Sequence, residues 1–398
     1  MGDHSDPTSP SITVEHAANL ARALYGIDGT VSSLGSCQDV NFKIMCSSMI
    51  YVLKISNVKD TIEDINFQND VIVHLNESSA LKHLTIPKLV RLIDDSGFTG
   101  SVTLGKDKHY VRALTFVEGN LLSDSKYLSK ESLMHFGSFI ALTHEALVSY
   151  DGRSIDKKGQ WDMRCSFENI RQRLDHLEQR EQEEISALIN TLQQIIDINS
   201  NKLRVQVIHG DLAAYNVITR PGRNGRPIVV GLIDFGDVTT SWTVGDLIIA
   251  IVPLFAIDDK DCLLLSVDII RGYLMSAALS LEESLCLWPL VVLRAILLYA
   301  TVSRLVIEDP DNEYVREESV LNKSILMKVL SVPLFAGQDA VVRAAGHQSP
   351  SQIQAALSAV SVFIVGGSNR CMTIDMSTLS DKYESKQKPS IPRILFCR

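Results

Sequence analysis

The sequence predicts an α+β fold in two lobes, a small N-terminal lobe with an antiparallel sheet and a larger, mainly helical C-terminal lobe. Segments with strand-like alternation, such as residues 48–56 and 109–117, are concentrated in the first third of the chain. Apolar residues at helical spacing dominate from Lys130 onward. A length of 398 residues also exceeds one average domain, so at least two folding units are expected.

Composition narrows the class of protein. Hydrophobic residues make up 45% of the chain and charged residues 21%, which is typical of a globular protein with a large core. The formal net charge is −9 and no basic tract occurs. We therefore expect no nucleic-acid partner, whereas a cationic or amino-bearing substrate is compatible with the charge.

The sequence also predicts a cytoplasmic protein. Its seven cysteines are scattered without a CxxC pair, as expected for reduced thiols. Residues 1–11 have the polar composition of a flexible tail, and not that of a signal or transit peptide. The most apolar run, residues 285–307, contains Arg294 and Arg304, which would be costly in lipid. We expect a buried helix there and no membrane association; no pattern indicates an oligomeric state.

The N-terminal lobe is predicted to span residues 12–118. Its expected elements, in chain order, are a helix over 12–25, strands within 32–44 and 48–56, a helix over 60–79, and strands at 86–90 and 109–117. The helix over 60–79 has Asp60 or Thr61 as its cap, with Glu63 or Asp64 in the first turn.

The C-terminal lobe is predicted to span residues 119–336. Its expected helices lie within 131–149, 167–199, 245–257, 263–280, 281–308 and 317–332. Residues 337–398 form an extension of uncertain role, with one apolar helix and a strand-like segment at 372–376. This extension is either the start of a linker to another domain or a variable tail.

Residues 209–237 carry the chemistry of the chain. HGDLAAYN (209–216) is followed by a polar turn and by VVGLIDFGD (229–237). Asp211, Asn216 and Asp234 occur in the order that phosphoryl transfer requires: a base for the attacking hydroxyl, then two oxygen ligands for Mg²⁺. The alternative is that Asp211 caps a helix and that Asp234 is an ordinary turn residue. The presence of His209 and Phe235 at the expected positions beside them argues against it.

These motifs resemble the aminoglycoside phosphotransferase family of small-molecule kinases, whose pattern is His-Gly-Asp-Leu, three residues, Asn, and later Ile-Asp-Phe/Trp-Gly. The similarity extends more thinly over residues 12–335. It implies a bilobal, protein-kinase-like fold and a Mg²⁺-dependent enzyme that transfers the γ-phosphate of ATP or GTP to an alcohol. Residues 231–237 are similar to the hydroxylysine kinases of this family, which implies 5-hydroxylysine as acceptor and GTP as donor.

Other functions stay open from the sequence. The acceptor could be another small amino alcohol, an aminoglycoside or an amino sugar. A different class of function is a non-catalytic, kinase-like nucleotide-binding module, suggested by the absence of a GxGxxG turn in the first hairpin.

The resemblance implies that Lys54 reaches the α- and β-phosphates, as the lysine of Val-Ala-Ile-Lys does in protein kinases. An acidic partner for this lysine is expected on the following helix. The matching position holds Asn66, so either Glu63, one turn earlier, pairs with Lys54, or the pair is missing.

Two further segments are expected to contact the nucleotide. Small-molecule kinases of this family often have a Ser-rich turn before Asp-x-Asn-Phe, which implies that Ser33 and Ser36 bind phosphate oxygens. A plain hairpin turn is an equally good interpretation of either serine. Residues 114–119 look like the hinge between the lobes, where the backbones of Thr115 and Val117 would bind the purine edge.

The remaining candidates support the catalytic loop or bind the substrate. By the resemblance, His209 packs under the loop and Asp246 hydrogen-bonds to it, although Asp246 could simply cap a helix. Asp237, Tyr215 and Trp242 lie in loops near the reacting end, where a carboxylate and aromatic faces could hold an ammonium group.

Overall fold

The two predicted lobes are present in the computed structural model, which describes residues 10–35, 39–125, 127–222, 225–257, 261–347, 362–366 and 370–374. The elements before the hinge are α1 (Val14–Tyr25), β1 (Thr30–Leu34), β2 (Val40–Met45), β3 (Ile50–Ile55), α2 (Ile62–Glu77), β4 (Thr99–Leu104) and β5 (Asp107–Thr115). The elements after it are β6 (Asn120–Leu121), α3 (Lys130–Val148), α4 (Ser166–Arg171), α5 (Gln179–Asn199), β7 (Val205–Ile208), β8 (Val217–Pro221), β9 (Pro227–Leu232), β10 (Thr239–Trp242), α6 (Val244–Ile251), α7 (Leu254–Ile257), α8 (Cys262–Tyr273), α9 (Leu281–Glu308), α10 (Glu313–Leu330), α11 (Leu334–Ala344), β11 (Val362–Gly366) and β12 (Arg370–Ile374).

The N-terminal lobe is an antiparallel sheet covered by one helix. The strand order is β1-β2-β3-β5-β4, and every neighbouring pair is antiparallel. Alternation along the strands sends one set of apolar side chains to the face that α1 covers. The small core between them contains Ala17 and Ala21 of α1 with Phe42, Leu53 and other strand residues.

Helix α2 connects the two lobes. Its N-terminus is the predicted capping box, in which Thr61 accepts from the Asp64 backbone and Asp64 accepts from that of Thr61. The apolar side of the helix, including Phe67 and Leu75, packs in the large core of the C-terminal lobe. Its polar residue Gln68 faces the N-terminal sheet. A shift of α2 would therefore disturb both lobes.

The strand predicted at residues 86–90 is wrong. The chain there makes only isolated bridges, from Thr85 to Gly231 and from Leu89 to Leu114. Pro87 has no backbone N–H, so it cannot donate to a ladder and interrupts strand pairing. The bridge from Thr85 nevertheless links the N-terminal lobe to β9, because the Thr85 N–H donates to the Val230 carbonyl at 2.7 Å.

The C-terminal lobe is organised around α9. This helix begins at a capping box formed by Ser280 and Glu283, and its residues from Leu285 to Ile296 are buried. It is the one helix of the described residues that is long and apolar enough to cross a membrane, yet 89% of its most apolar window is buried inside the protein. It is therefore the central core helix of this lobe, as the sequence predicts for residues 285–307.

Helices α3 and α8 cross at two glycines. A Cβ on Gly137 would lie 1.9 Å from the Ile269 carbonyl oxygen, and one on Gly272 would lie 2.0 Å from the Met134 carbonyl oxygen. Neither backbone can yield without moving its helix. We expect Gly137→Ala to destabilise the protein by about 1–3 kcal/mol, the usual cost of overpacking, measured as a lower urea midpoint of unfolding.

Gly159→Ala is the matched control for this prediction. A Cβ at Gly159 would have no neighbour within 4 Å, so we expect a change within about 0.5 kcal/mol. Equal midpoints for the two variants would mean that the close approach of α3 and α8 does not limit stability.

Candidate active site

The loop between β7 and β8 presents Asp211. A short 3-10 turn over Ala214–Asn216 follows it. The Asp211 carboxylate accepts hydrogen bonds from the Tyr215 hydroxyl at 2.6 Å and from the Asn216 side-chain amide at 2.7 Å. Burial raises the pKa of Asp211, and the hydrogen bond from Tyr215 opposes that rise. Two residues of the predicted motif thus hold the carboxylate in one orientation.

Asp246, at the start of α6, holds the beginning of this loop. It is fully buried, and its two carboxylate oxygens accept the N–H groups of His209 at 2.9 Å and Gly210 at 2.8 Å. The ring of His144 lies 3.4 Å from the same carboxylate. This arrangement agrees with the support role expected of Asp246, because one buried side chain anchors two consecutive backbone groups.

The His209 ring uses both of its nitrogens for structure. The Asp211 N–H donates to Nδ1 at 3.3 Å, and Nε2 lies 3.2 Å from the Ile233 carbonyl, to which it donates. The ring also packs against Phe235 with centroids 4.8 Å apart. Since neither nitrogen is left to accept a proton from substrate, His209 positions Asp211 rather than acting as a base.

Gly210 brings the two motifs together. Its φ is 81°, and a Cβ at this position would lie 2.0 Å from the Asp237 carbonyl oxygen. A side chain would therefore be strained and would also push the two loops apart.

Asp234 follows β9 with a φ of 60°, a region that residues with a side chain rarely occupy. Its carboxylate contacts the Lys54 ammonium at 2.7 Å, and that positive charge lowers the pKa of Asp234 to about 2. The Ile233 N–H donates to the Asn216 carbonyl at 2.9 Å. Asn216 and Asp234 therefore lie on adjacent, hydrogen-bonded segments.

Of the two alternatives expected for Lys54, the pair with Glu63 is wrong. In the described part of the chain, the carboxylates paired with Lys54 are Asp234 and, at 3.5 Å, Asp39. Glu63 and Asn66 are exposed because α2 turns the opposite side, with Asp64 and Gln68, toward the protein. The acidic partner thus comes from the residue just before β2 instead of from the helix.

A buried polar network of Arg112, Asn69 and Gln68 reaches the Asp-Phe-Gly turn through Gln68, and sequence reasoning missed it. Arg112 lies next to Lys54 across the β3–β5 pair and donates to Gln68 at 2.7 Å and to Asn69 at 3.1 Å. Gln68 in turn donates to the Gly236 carbonyl at 3.1 Å. A charged residue between apolar neighbours of a predicted strand was the available signal for Arg112.

The two hinge candidates, Thr115 and Val117, differ in which of their backbone groups are already hydrogen-bonded within the protein. The Thr115 N–H donates to the Lys88 carbonyl, and the Thr115 hydroxyl accepts from the Lys88 N–H, both at 2.8 Å. The backbone N–H of Thr115 is therefore already bonded within the protein. The prediction that Thr115 binds the purine edge now concerns only its carbonyl. Val117 is buried, and no residue described in the structure hydrogen-bonds to its backbone.

The serine-rich turn is only partly described. Ser33 is exposed within β1, paired with Phe42 of β2, and so lies on a strand and not in the turn itself. Ser36 lies outside the described residues.

The oxygen ligands of the cleft fit Mg²⁺ bound together with a nucleotide. Among the described residues, no three His, Cys, Asp or Glu side chains cluster as a complete metal site. Mg²⁺ usually takes one or two carboxylates from protein and completes its shell with phosphates and water. The ionised Asp234 and the amide oxygen of Asn216 suit that requirement.

The predicted substrate residues do not all lie together. Tyr215 is bonded to Asp211, and Asp237 lies in the same group of charges. Trp242 is at the far end of β10, opposite Val205, and packs against the large core. Four residues separate it from Asp237, and β10 runs from Thr239 to Trp242. Trp242 is thus set apart from Tyr215 and Asp237, and its contact with substrate stays a prediction.

Comparison with known proteins identifies the family to which this region of the chain belongs. A family model described as "Phosphotransferase enzyme family" matches residues 42–282. No curated protein matches the chain.

Solved structures share the fold at low sequence identity. Amicoumacin kinase hAmiN in complex with AMP-PNP, Ca²⁺ and Ami is 13% identical with a TM-score of 0.60, and the match covers 80% of this chain and 94% of that one. The microcompartment-associated aminopropanol kinase is 16% identical with a TM-score of 0.61, over 84% and 99%. The GDP complex of aminoglycoside 2'-phosphotransferase-IIIa is 13% identical with a TM-score of 0.53, over 79% and 99%. These likenesses confirm the predicted bilobal, kinase-like fold.

Proposed function

Because this chain belongs to the phosphotransferase enzyme family, we propose that it transfers the γ-phosphate of a nucleoside triphosphate to a hydroxyl group of a small amino-bearing metabolite. The first candidate acceptor is 5-hydroxylysine and the first candidate donor is GTP. Both follow from the similarity of residues 231–237 to hydroxylysine kinases. A GDP complex among the structures with this fold is compatible with that donor.

One observation carries the proposal. Lys54 contacts Asp234 at 2.7 Å, while the adjacent segment holds Asp211 hydrogen-bonded to Asn216 at 2.7 Å. These four side chains supply a phosphate-binding cation, two metal ligands and a base, which are the parts that phosphoryl transfer uses.

Asp211 is the proposed base. Tyr215 and Asn216 fix its carboxylate, so the acceptor hydroxyl can be oriented by one oxygen and lose its proton to it. Lys54 binds the nucleotide phosphates and, in their absence, pairs with Asp234. Asn216 and Asp234 would hold Mg²⁺, which when bound neutralises charge on the transferred phosphoryl group.

The acidic side of the cleft is the proposed site of the acceptor's amino group. Asp211 and Asp237 lie close enough for their charges to interact. A protonated amine would be attracted to this pair. Aminopropanol, the substrate named for one structure with this fold, has the same combination of amine and hydroxyl. Another amino alcohol, an aminoglycoside or an amino sugar is therefore the second candidate acceptor.

A panel of acceptors tests the proposal. Purified protein is incubated with GTP or ATP, with Mg²⁺ or EDTA, and with 5-hydroxylysine, 1-amino-2-propanol, ethanolamine or kanamycin, and phosphorylated product is detected by mass spectrometry. We expect most product from 5-hydroxylysine with GTP and none with EDTA. Nucleotide binding without product from any acceptor would instead support the non-catalytic nucleotide-binding module.

The acidity of Asp237 predicts how acceptor binding depends on pH. Desolvation in the cleft, together with the negative charges of Asp211 and Asp234, raises the pKa of Asp237 to about 7. The side chain is therefore mostly protonated at pH 6 and mostly ionised at pH 8, whereas an alkylamine is protonated at both. We expect KM for an amino-bearing acceptor to fall by up to about tenfold between these values.

Asp237→Asn is the control for this pH dependence. The variant cannot ionise at this position, so KM for the acceptor should be high and nearly constant from pH 6 to 8. The same pH profile in both proteins would assign the titration to another group.

A further inference from the structure

Arg294 is a buried cation near the acceptor side of the cleft that the proposed reaction does not use. It lies in the apolar helix α9, and only 5% of the residue is exposed. Its charge acts on Asp211, Tyr215 and Asp237, yet it makes no hydrogen bond to any of them. Burying a guanidinium costs free energy unless each of its N–H donors has a hydrogen-bond acceptor.

One edge of this guanidinium lacks acceptors. Nη1 donates to the Trp161 carbonyl at 3.2 Å. Nε is closed off from solvent and has no partner. Nη2 also has no acceptor among the described residues, although it is not closed off as Nε is. The unpaired atoms are therefore Nε and Nη2, which form the side-on pair of donors.

Two other arginines of the chain, Arg204 and Arg112, show what such donors bind when an acceptor is present. In Arg204, Nε and Nη2 hold the two oxygens of Glu283 at 2.7 and 2.9 Å. The buried Arg112 has both terminal nitrogens paired, with Gln68 and Asn69. The side-on edge fits a carboxylate in a bidentate geometry. Arg294 presents the same edge as Arg204 without a carboxylate on it.

Trp161 places this edge beside the acceptor. Its ring lies over the guanidinium, 5.0 Å from the centroid. The segment that carries Trp161 is bound to β10, the strand after Asp237. The Thr240 N–H donates to the Ile155 carbonyl at 3.0 Å, and the Ser241 hydroxyl donates to Asp162 at 2.8 Å. A ligand group on Arg294 would therefore lie on the same side of the cleft as Asp237.

We propose that Arg294, covered by Trp161, is the subsite for a carboxylate of the acceptor, so that the substrate is a hydroxy amino acid and not a simple amino alcohol. The inference rests on the proposed function. The carboxylate meets Nη2, which is not closed off from solvent as Nε is. The amine is held at the acidic side, and the two opposite charges fix the orientation of the hydroxyl at Asp211.

Two acceptors that differ only in this group provide the test. They are 5-hydroxylysine and 1,5-diaminopentan-2-ol, which lacks the carboxylate. We expect wild-type kcat/KM to be higher for 5-hydroxylysine by about tenfold or more, the usual effect of a charge-assisted hydrogen bond. Arg294→Gln should remove most of this preference, by lowering kcat/KM for 5-hydroxylysine and not for the diamine. Arg294→Lys, which keeps the charge but loses the bidentate edge, should lower the preference in part.

Arg304→Gln, ten residues further along α9, is the control, and we expect it to leave the ratio between the two acceptors unchanged. Nucleotide affinity, measured by calorimetry, shows whether each variant is folded. If Arg294→Gln does not fold, the inference is still tested by the wild-type preference for 5-hydroxylysine over the diamine and by the change of that preference in Arg294→Lys.

Three results would overturn the inference. Equal wild-type kcat/KM for the two acceptors would leave the kinase in place and remove the carboxylate subsite. An equal loss on both acceptors in Arg294→Gln would assign Arg294 to the phosphoryl transfer itself or to the fold. Product from neither acceptor would mean that the proposed function is wrong, and the subsite with it.

Discussion

Asp211→Asn is expected to lower kcat by about 10²- to 10⁴-fold, the usual contribution of a general base. The carboxylate accepts from Tyr215 at 2.6 Å and from Asn216 at 2.7 Å, so an amide in its place loses an acceptor and cannot take a proton. Nucleotide affinity should change little, because Lys54 and Asp234 stay in place. Product formation under saturating acceptor and nucleotide measures the loss.

Asp28→Asn is the matched control for this substitution. Asp28 pairs with Arg22 at the surface, where its side chain is 73% exposed. Exposed pairs contribute at most about 1 kcal/mol, and we expect kcat to be unchanged. If Asp211→Asn turned over substrate as fast as wild type, Asp211 would not be the base and the proton acceptor would have to be sought elsewhere in the cleft.

Asp246→Asn is expected to destabilise the protein by about 2–4 kcal/mol and to lower kcat as well. Asp246 is fully buried, and both of its oxygens accept backbone N–H groups, from His209 and Gly210. An asparagine has one oxygen and would turn its NH₂ group toward the other N–H. A buried donor then loses its acceptor, and the loop that carries Asp211 shifts.

Urea unfolding and steady-state kinetics measure the two effects together. A misplacement of about 1 Å can cost about 10²-fold in rate, so a loss of kcat should accompany the lower unfolding midpoint. Asp28→Asn again serves as the surface control. An unchanged midpoint would show that Asp246 does not hold the loop.

The local parts of the site follow from the sequence because neighbours along the chain determine them. His209, Asp211 and Asn216 fall within one loop, so the chain itself keeps the acid and the amide close. The capping box of Thr61 and Asp64 is local in the same way. Gly210, next to Asp211, has the positive φ that a tight turn requires.

Contacts between distant segments were less predictable. The sequence indicates that Lys54 needs an acidic partner, but the rotation of α2 decides which residue faces it, and that rotation is determined by the packing of Phe67 and Leu75 in the other lobe. The result is that Asp39 pairs with Lys54 while Glu63 is exposed. Trp242 was expected near the substrate because it follows Asp237, whereas the structure shows it at the end of β10, packed against the large core.

By itself, the sequence determined the fold class and the phosphotransferase family, because strand and helix periods and the motifs of residues 209–237 are local patterns. Only the tertiary structure decided the partner of Lys54, the contact of Gln68 with Gly236, and the position of Arg294 near Asp211. The physical reason is that each of these depends on how segments from different elements are brought together by packing, which no local pattern specifies. Arg294 looks like an interruption of an apolar helix in the sequence, and only the folded lobe brings it near Asp211 and Asp237.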